Sequence, residues 1–155
     1  MRHATWLRNK QPEYPCRSSL HRTPPYTAEP MKIITAQEHQ TVELPTVITL
    51  ANDADPRTLD LSGVTRIDLQ FPKFTDGRAY SQAFLLRRRL GFAGELRATG
   101  DVLIDQLVQM ERTGFDVAVL REGVDASAAQ RQFERFAGFY QGSAVGTQPL
   151  FAKAS

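Results

Sequence analysis

Residues 67–78 read IDLQFPKFTDGR, and this stretch decides which fold the chain can adopt. Its first half alternates apolar and polar residues, so that Ile67, Leu69 and Phe71 share one side, as in a strand that buries one face. Its second half holds a proline and an Asp-Gly pair, which is turn chemistry, and it leads directly into a helical pattern. A strand followed at once by a helix predicts parallel pairing with right-handed crossovers.

The same unit recurs along the chain. The pattern predicts strands at 64–71, 95–99 and 116–120, each followed by a helix, at 77–90, 102–113 and 126–140. An aspartate stands where each N-cap belongs, and a Gly-Phe pair ends the first two helices. These residues are Asp76, Asp101 and Asp125, with the pairs at 91–92 and 114–115. Upstream, residues 41–50 read as extended, and Asp53 or Asp55 is expected to cap a short helix before Gly63.

The strand faces refine the fold class. A sheet covered on both faces would show continuous apolar strands, whereas 64–71 and 95–99 alternate. We therefore expect an α/β fold: a mostly parallel sheet of about four or five strands with helices mainly on one face. It could be an open two-layer sheet, a partial (β/α) barrel or a sheet covered by a partner chain. A complete barrel needs about 250 residues, and this chain has 155.

Composition divides the chain into three parts. Residues 1–30 hold five prolines and no periodic apolar pattern, so we expect a disordered leader. Residues 31–140 are expected to form one α/β domain, and residues 141–155 a flexible tail. One hypothesis is that Met31 is the biological start; the alternative is a basic arm that docks on an acidic partner. The first thirty residues hold five Arg or Lys and two Asp or Glu. The other 125 residues hold 14 Arg or Lys and 15 Asp or Glu, so they are close to neutral. A near-neutral folded part argues against nucleic-acid binding.

Several classes of site lack their residues in the sequence. Cys16 is the only cysteine, which excludes an internal disulfide and a Cys-x-x-Cys redox pair. The histidines at 3, 21 and 39 show no metal-ligand spacing, and neither a dinucleotide nor a phosphate-loop fingerprint is present. We therefore expect no metal and no cofactor. No apolar run is long enough to span a bilayer and no secretory signal is recognisable, so the cytoplasm is the expected compartment.

The turns that follow the strands form the expected ligand site, because ligands gather at the carboxyl ends of parallel strands. Free N–H groups at helix N-termini favour an anion there. We expect Lys73, Arg78 and Arg97 to converge beside two helix N-termini and bind a small oxyanion. The full set of expected ligand-binding residues is Lys73, Thr75, Asp76, Arg78, Arg97, Thr99 and Asp101, with Arg121 and Glu122 in the third turn.

A purely structural interpretation of these residues stays open. Asp76 and Asp101 are explained equally well as helix caps, and Arg97 as the cross-strand partner of Asp68. The arginine triplet at 87–89 is expected on a solvated helix face. Phe139 is expected in a subunit interface.

Four stretches, at residues 71–82, 85–92, 94–106 and 114–116, resemble the bacterial family called domain of unknown function 934. The resemblance is dense over residues 64–120. Members are often labelled as an oxidoreductase of sulfite reduction, and their genes tend to lie beside those for sulfite reductase and the reductase of activated sulfate. The resemblance thus implies a pathway, assimilatory sulfate reduction, with those reductases as partners. The matching residues that could contact a ligand are Lys73, Asp76, Arg78, Arg97, Asp101, Asp105 and Gln106.

Three functions follow as hypotheses. A self-sufficient oxidoreductase is disfavoured, because electron transfer needs a cofactor or a reactive thiol. The first hypothesis is an accessory protein of sulfur assimilation that binds a small oxyanion or docks on a reductase. The second is an enzyme of lyase or transferase type acting on a phosphorylated or sulfated molecule, with Asp68 or Asp101 as the base. The third is a structural subunit whose polar sheet face is buried in a homodimer.

Overall fold

The computed structural model describes residues 29–39, 45–135 and 138–146. Five strands and three helices follow one another along this part of the chain, with short 3-10 turns at Pro56–Thr58 and Ile104–Gln106. The strands are β1 (Lys32–Thr35), β2 (Val47–Leu50), β3 (Arg66–Phe71), β4 (Glu95–Gly100) and β5 (Val117–Leu120), and the helices are α1 (Arg78–Arg88), α2 (Leu107–Thr113) and α3 (Ser127–Glu134). The predicted disordered leader lies almost wholly outside the described residues.

All five strands form one parallel sheet in the order β1-β5-β4-β3-β2. β1 and β2 are therefore its two edges, and among the described residues the sheet does not close into a barrel. The predicted α/β class is confirmed in its open form. In the described part of the chain, no helix has the length and apolar character that crossing a bilayer requires.

Side chains alternate between the two faces of the sheet, although β5 is apolar and buried on both. One face carries apolar residues that join the core under the helices: Ile33, Ile48, Leu50, Ile67, Leu69, Phe71, Leu96, Ala98, Ala118 and Leu120. The other face, which we call the polar face, carries Arg66, Asp68 and Gln70 on β3 and Glu95, Arg97 and Thr99 on β4. In the part of the chain that the structure describes, the helices lie on one face, as predicted, and these polar side chains lie together on the other.

The helix boundaries correct some of the predicted caps. Asp76 and Asp125 each accept the N–H two residues further on, from Arg78 at 3.2 Å and Ser127 at 2.8 Å. Both lie one residue before the N-cap position. Asp101 caps no helix, because its carboxylate accepts a hydrogen bond from the N–H of Phe74 (3.0 Å) instead. α2 therefore begins at Leu107, after a 3-10 turn, and not at residue 102.

The third helix ends earlier than its pattern predicts. α3 stops at Glu134, and residues 138–140 are not helical, so the prediction of a helix to residue 140 was wrong. The ring of Phe139 instead lies 4.1 Å from the guanidinium of Arg112, and the N–H of Ala144 donates to the carbonyl of Arg112. The segment after α3 thus packs against α2 and does not continue the helix. Ala144 is buried, so the packed region reaches beyond residue 140.

Arg87 is fully buried in the last turn of α1, although the arginine triplet was expected on a solvated face. Its guanidinium donates to the carbonyls of Phe92, Gly94 and Gly114 at 2.7–2.8 Å. It also pairs with Asp116 at 2.5 Å. Gly114 ends α2 with a φ of +103°, and a Cβ there would lie 2.5 Å from Cγ of Arg87. The side chain of Arg87 therefore bonds the end of α2, the loop before β4 and the residue before β5 to one another.

We predict that Arg87→Met lowers the free energy of unfolding by about 3–5 kcal/mol, because it removes the donor to three carbonyls and the buried cation that pairs with Asp116. Urea denaturation followed by circular dichroism measures this. Arg88→Met changes the exposed neighbour and is the matched control, expected within about 0.5 kcal/mol of the wild type. If both variants lower the free energy of unfolding by the same amount, Arg87 does not have the structural role described above.

Candidate functional site

The carboxyl ends of the strands lie at one edge of the sheet, as predicted, because all strands are parallel. The turns after β3, β4 and β5 meet there through one side chain. Asp101 accepts the N–H of Phe74 at 3.0 Å and pairs with Arg121 at 3.1 Å. Gln106 adds a hydrogen bond to the carbonyl of Phe74 (2.8 Å). We call this edge the rim.

Carboxylates neutralise two of the rim cations. Arg78 pairs with Asp76 at 2.7 Å, and hydrogen bonds from Arg78 lower the pKa of Asp76 to about 2. Asn52, at the end of β2, donates to the same carboxylate at 2.6 Å. Arg121 lies 3.1 Å from Asp101, without an aligned hydrogen bond. An anion that bound either arginine would lie next to a carboxylate, so the rim favours a structural role for both.

The structure places Lys73, Arg78 and Arg97 on three different elements. Lys73 and Thr75 are exposed in the turn after β3, and Arg78 lies in the first turn of α1. Arg97 lies on the polar face, three residues before the end of β4, which is about 10 Å at the rise of a strand. β4 runs to Gly100, one residue beyond the predicted strand. The hydroxyl of Thr99, within this strand, donates to the carbonyl of Leu69 at 3.3 Å.

The polar face holds the densest group of charged side chains away from the rim. We call it the polar-face cluster, and it consists of His39, Arg66, Asp68, Glu95 and Arg97. The register places Asp68 directly beside Arg97, and Arg66 beside Glu95. The side chains are between 2% and 36% exposed, so water is largely excluded from their contacts. Charges interact more strongly in such surroundings than on an open surface.

Asp68 is the most deeply buried member, with 2% of its side chain exposed. Its Oδ2 accepts a hydrogen bond from Nη2 of Arg66 at 3.1 Å. Its Oδ1 lies 3.0 Å from Nε of Arg66, yet the alignment is too poor for a hydrogen bond and no other described residue donates to it. A buried carboxylate with an oxygen that lacks an aligned donor is unusual in a folded protein.

His39 connects the turn after β1 to this cluster. Its Nδ1 lies 3.3 Å from Nη1 of Arg97, and its Nε2 lies 3.8 Å from Oδ2 of Asp68. Because a guanidinium can only donate, Nδ1 must accept, and the ring proton of neutral His39 is on Nε2, facing Asp68. Burial lowers the pKa of His39 below 6.5, with Asp68 opposing this shift and Arg97 adding to it.

Arg97 is the member that could take a ligand. Its Nε donates to Glu95 and its Nη1 contacts His39, while its Nη2 makes no hydrogen bond to any described residue. The side chain is 19% exposed, so solvent reaches it from one side. Within residues 29–39, 45–135 and 138–146, no group of three His, Cys, Asp or Glu side chains could hold a metal ion.

The sequence named Asp68 and Arg97 and missed His39, Arg66 and Glu95. Arg66 and Glu95 stand at polar positions of the same two alternating strands, so the alternation could have identified them. His39 follows a different strand and is 29 residues from Asp68 in the chain. Nothing local marks it. Asp105, which the resemblance added to the residues that could contact a ligand, is exposed near Tyr80, whose pKa burial raises to about 12.

The chain belongs to the family described as "Bacterial protein of unknown function (DUF934)", whose pattern it matches over residues 47–151. The match includes every member of the polar-face cluster except His39. No curated relative and no solved structure matches the chain.

We predict that the free energy of unfolding falls as the pH drops below 6.5 towards the lower folded-state pKa of His39. The unfolded chain binds the proton more readily than the folded one in that range, so acid favours unfolding. Urea titrations at several pH values between neutral and mildly acidic measure this slope. His39→Gln should flatten it, and an unchanged slope in that variant would assign the pH dependence to other groups.

Proposed function

We propose that this member of the family is an accessory protein of assimilatory sulfate reduction, and that it binds a small oxyanion such as sulfite or sulfate at the polar-face cluster. The sulfite-reduction label carried by related proteins supports the pathway. The free Nη2 of Arg97, in a largely enclosed position, is the observation that carries the anion site.

The geometry around Arg97 suits a small anion. A guanidinium presents paired donors that match the oxygens of sulfite, sulfate or phosphate, and such charge-assisted bonds are stronger than neutral ones. Glu95 holds the Nε edge, which leaves the Nη2 side for a ligand. Arg66 lies two residues from Asp68 and balances that carboxylate, so Asp68 does not need the charge of Arg97.

A reductase of the same pathway is the proposed protein partner. The outer face of α1 supports docking, because Phe84 is 43% exposed and Leu90, just beyond the helix, is 37% exposed. Arg88 and Arg89 are exposed between them and pair with no carboxylate of a described residue. Aromatic residues and arginine are enriched in interfaces. Co-purification with purified sulfite reductase checks this part of the proposal.

A second candidate function is an enzyme in which Asp68 acts as the base. It is favoured by the enclosure of Asp68 together with Arg97 and His39, since bases and charge-stabilising groups must share a site that excludes water. Asp101, the other candidate base, is held at the rim by Phe74 and Arg121, which leaves it poorly placed for that role.

We predict that calorimetry detects binding of sulfite or sulfate and that Arg97→Ala weakens it by about 10–100-fold, the loss of one or two charge-assisted hydrogen bonds. Phosphate is titrated as the comparison anion. Arg78→Ala removes a cation of the rim and is the matched control, expected to leave affinity unchanged. If Arg78→Ala weakens anion binding more than Arg97→Ala does, the anion binds at the rim and not at the polar-face cluster. Absence of heat with every anion would remove the oxyanion proposal.

We predict that a deletion strain grows on sulfide or cysteine but grows poorly on sulfate, and that the wild-type gene restores growth. Arg97→Ala should fail to restore it. A folded Asp68→Asn protein that binds the anion but fails to restore growth would favour the enzyme over the accessory protein. Equal growth of the deletion strain on all sulfur sources would exclude the pathway.

A further inference from the structure

An anion bound to Arg97 would lie next to His39. In the free protein, Nη1 of Arg97 points to Nδ1 of His39, while Nη2 is the side open to a ligand. Nη1 carries two N–H groups, so it can donate both to the ring and to an oxyanion that engages the two terminal nitrogens. Such an anion would place its negative charge beside the His39 ring.

Charge balance shows how the charge of an anion is offset. Asp68 and Arg66 face His39 from β3, and Glu95 and Arg97 face it from β4. The two negative and two positive charges of these described residues cancel when His39 is neutral. A bound anion adds negative charge to a partly buried site. A proton on Nδ1 offsets that charge, turns the nitrogen from acceptor into donor, and leaves Nε2–H directed at Asp68.

We infer that the polar-face cluster takes up an oxyanion together with one proton, and that Nδ1 of His39 is the atom that receives the proton. This inference rests on the proposed oxyanion site. It makes His39 a residue that positions and neutralises the ligand.

The direction of the pH dependence follows from this. Burial and the two arginines keep the pKa of His39 low in the free protein. A bound anion beside the ring raises that pKa, because it stabilises the charged form. Between the two pKa values each binding event takes up a proton. Affinity therefore rises as the pH falls through this window, by at most about tenfold per pH unit, and is level outside it.

The test is calorimetry of the full chain with sulfate at near-neutral pH, in buffers that differ in their heat of ionisation. Sulfate carries no titrating proton near neutral pH, so any proton taken up belongs to the protein. Sulfite is run in parallel, with its own protonation subtracted. We expect uptake of up to one proton per anion in the wild type. His39→Gln cannot be protonated and should bind with no uptake and with an affinity that does not change with pH.

A nuclear magnetic resonance measurement covers the case in which His39→Gln does not fold. The ring nitrogens of His39 in the wild type should show the Nε2–H tautomer without anion and the doubly protonated ring with sulfate or sulfite. Anion binding without proton uptake would overturn this inference and leave the oxyanion site standing. Uptake that persists in His39→Gln would overturn it as well. No binding of either anion would overturn both proposals.

Discussion

The buried guanidinium of Arg87 is the interaction on which the rest of the structure depends. It joins the end of α1 to the loop before β4 and to Asp116, the residue before β5. The same Asp116 carboxylate accepts the N–H of Leu96 at 2.7 Å. Since Leu96 directly precedes Arg97, this network supports the pairing of β4 with β5, in which Arg97 lies beside Val117. A buried charge tolerates little displacement, because every lost hydrogen bond leaves a desolvated group.

The two faces of the sheet have different energetic roles. The face under the helices supplies the apolar burial that stabilises the fold. The polar face contributes less to that burial and instead carries a balanced set of charges, with Asp68 and Arg66 at its centre. Among the described residues, this set has a net charge of zero only while His39 is neutral. That balance makes the cluster sensitive both to protons and to an added anion.

Much of the architecture could be predicted from local pattern. The alternation in β3 and β4 correctly indicated a parallel sheet with helices on one face, and Gly114 correctly marked the end of α2. The errors arose where a tertiary contact outweighed the local rule. Asp101 looks like a cap but binds the neighbouring turn, and the third helix yields to packing of Phe139 on Arg112. Arg97 stood inside the predicted strand at 95–99, and β4 keeps it on the polar face, three residues before the rim.

The sequence by itself determined the strand–helix alternation and the segregation of charged from apolar side chains, since both follow from residue spacing along one element. It also placed Asp68 and Arg97 on the same kind of strand face. Only the tertiary structure decided which cations share a site. Strand register brings Asp68 to Arg97, and the turn after β1 brings His39 to both. Asp68 and Arg97 are 29 and 58 positions from His39 in the chain. No local sequence pattern encodes a contact between residues so far apart.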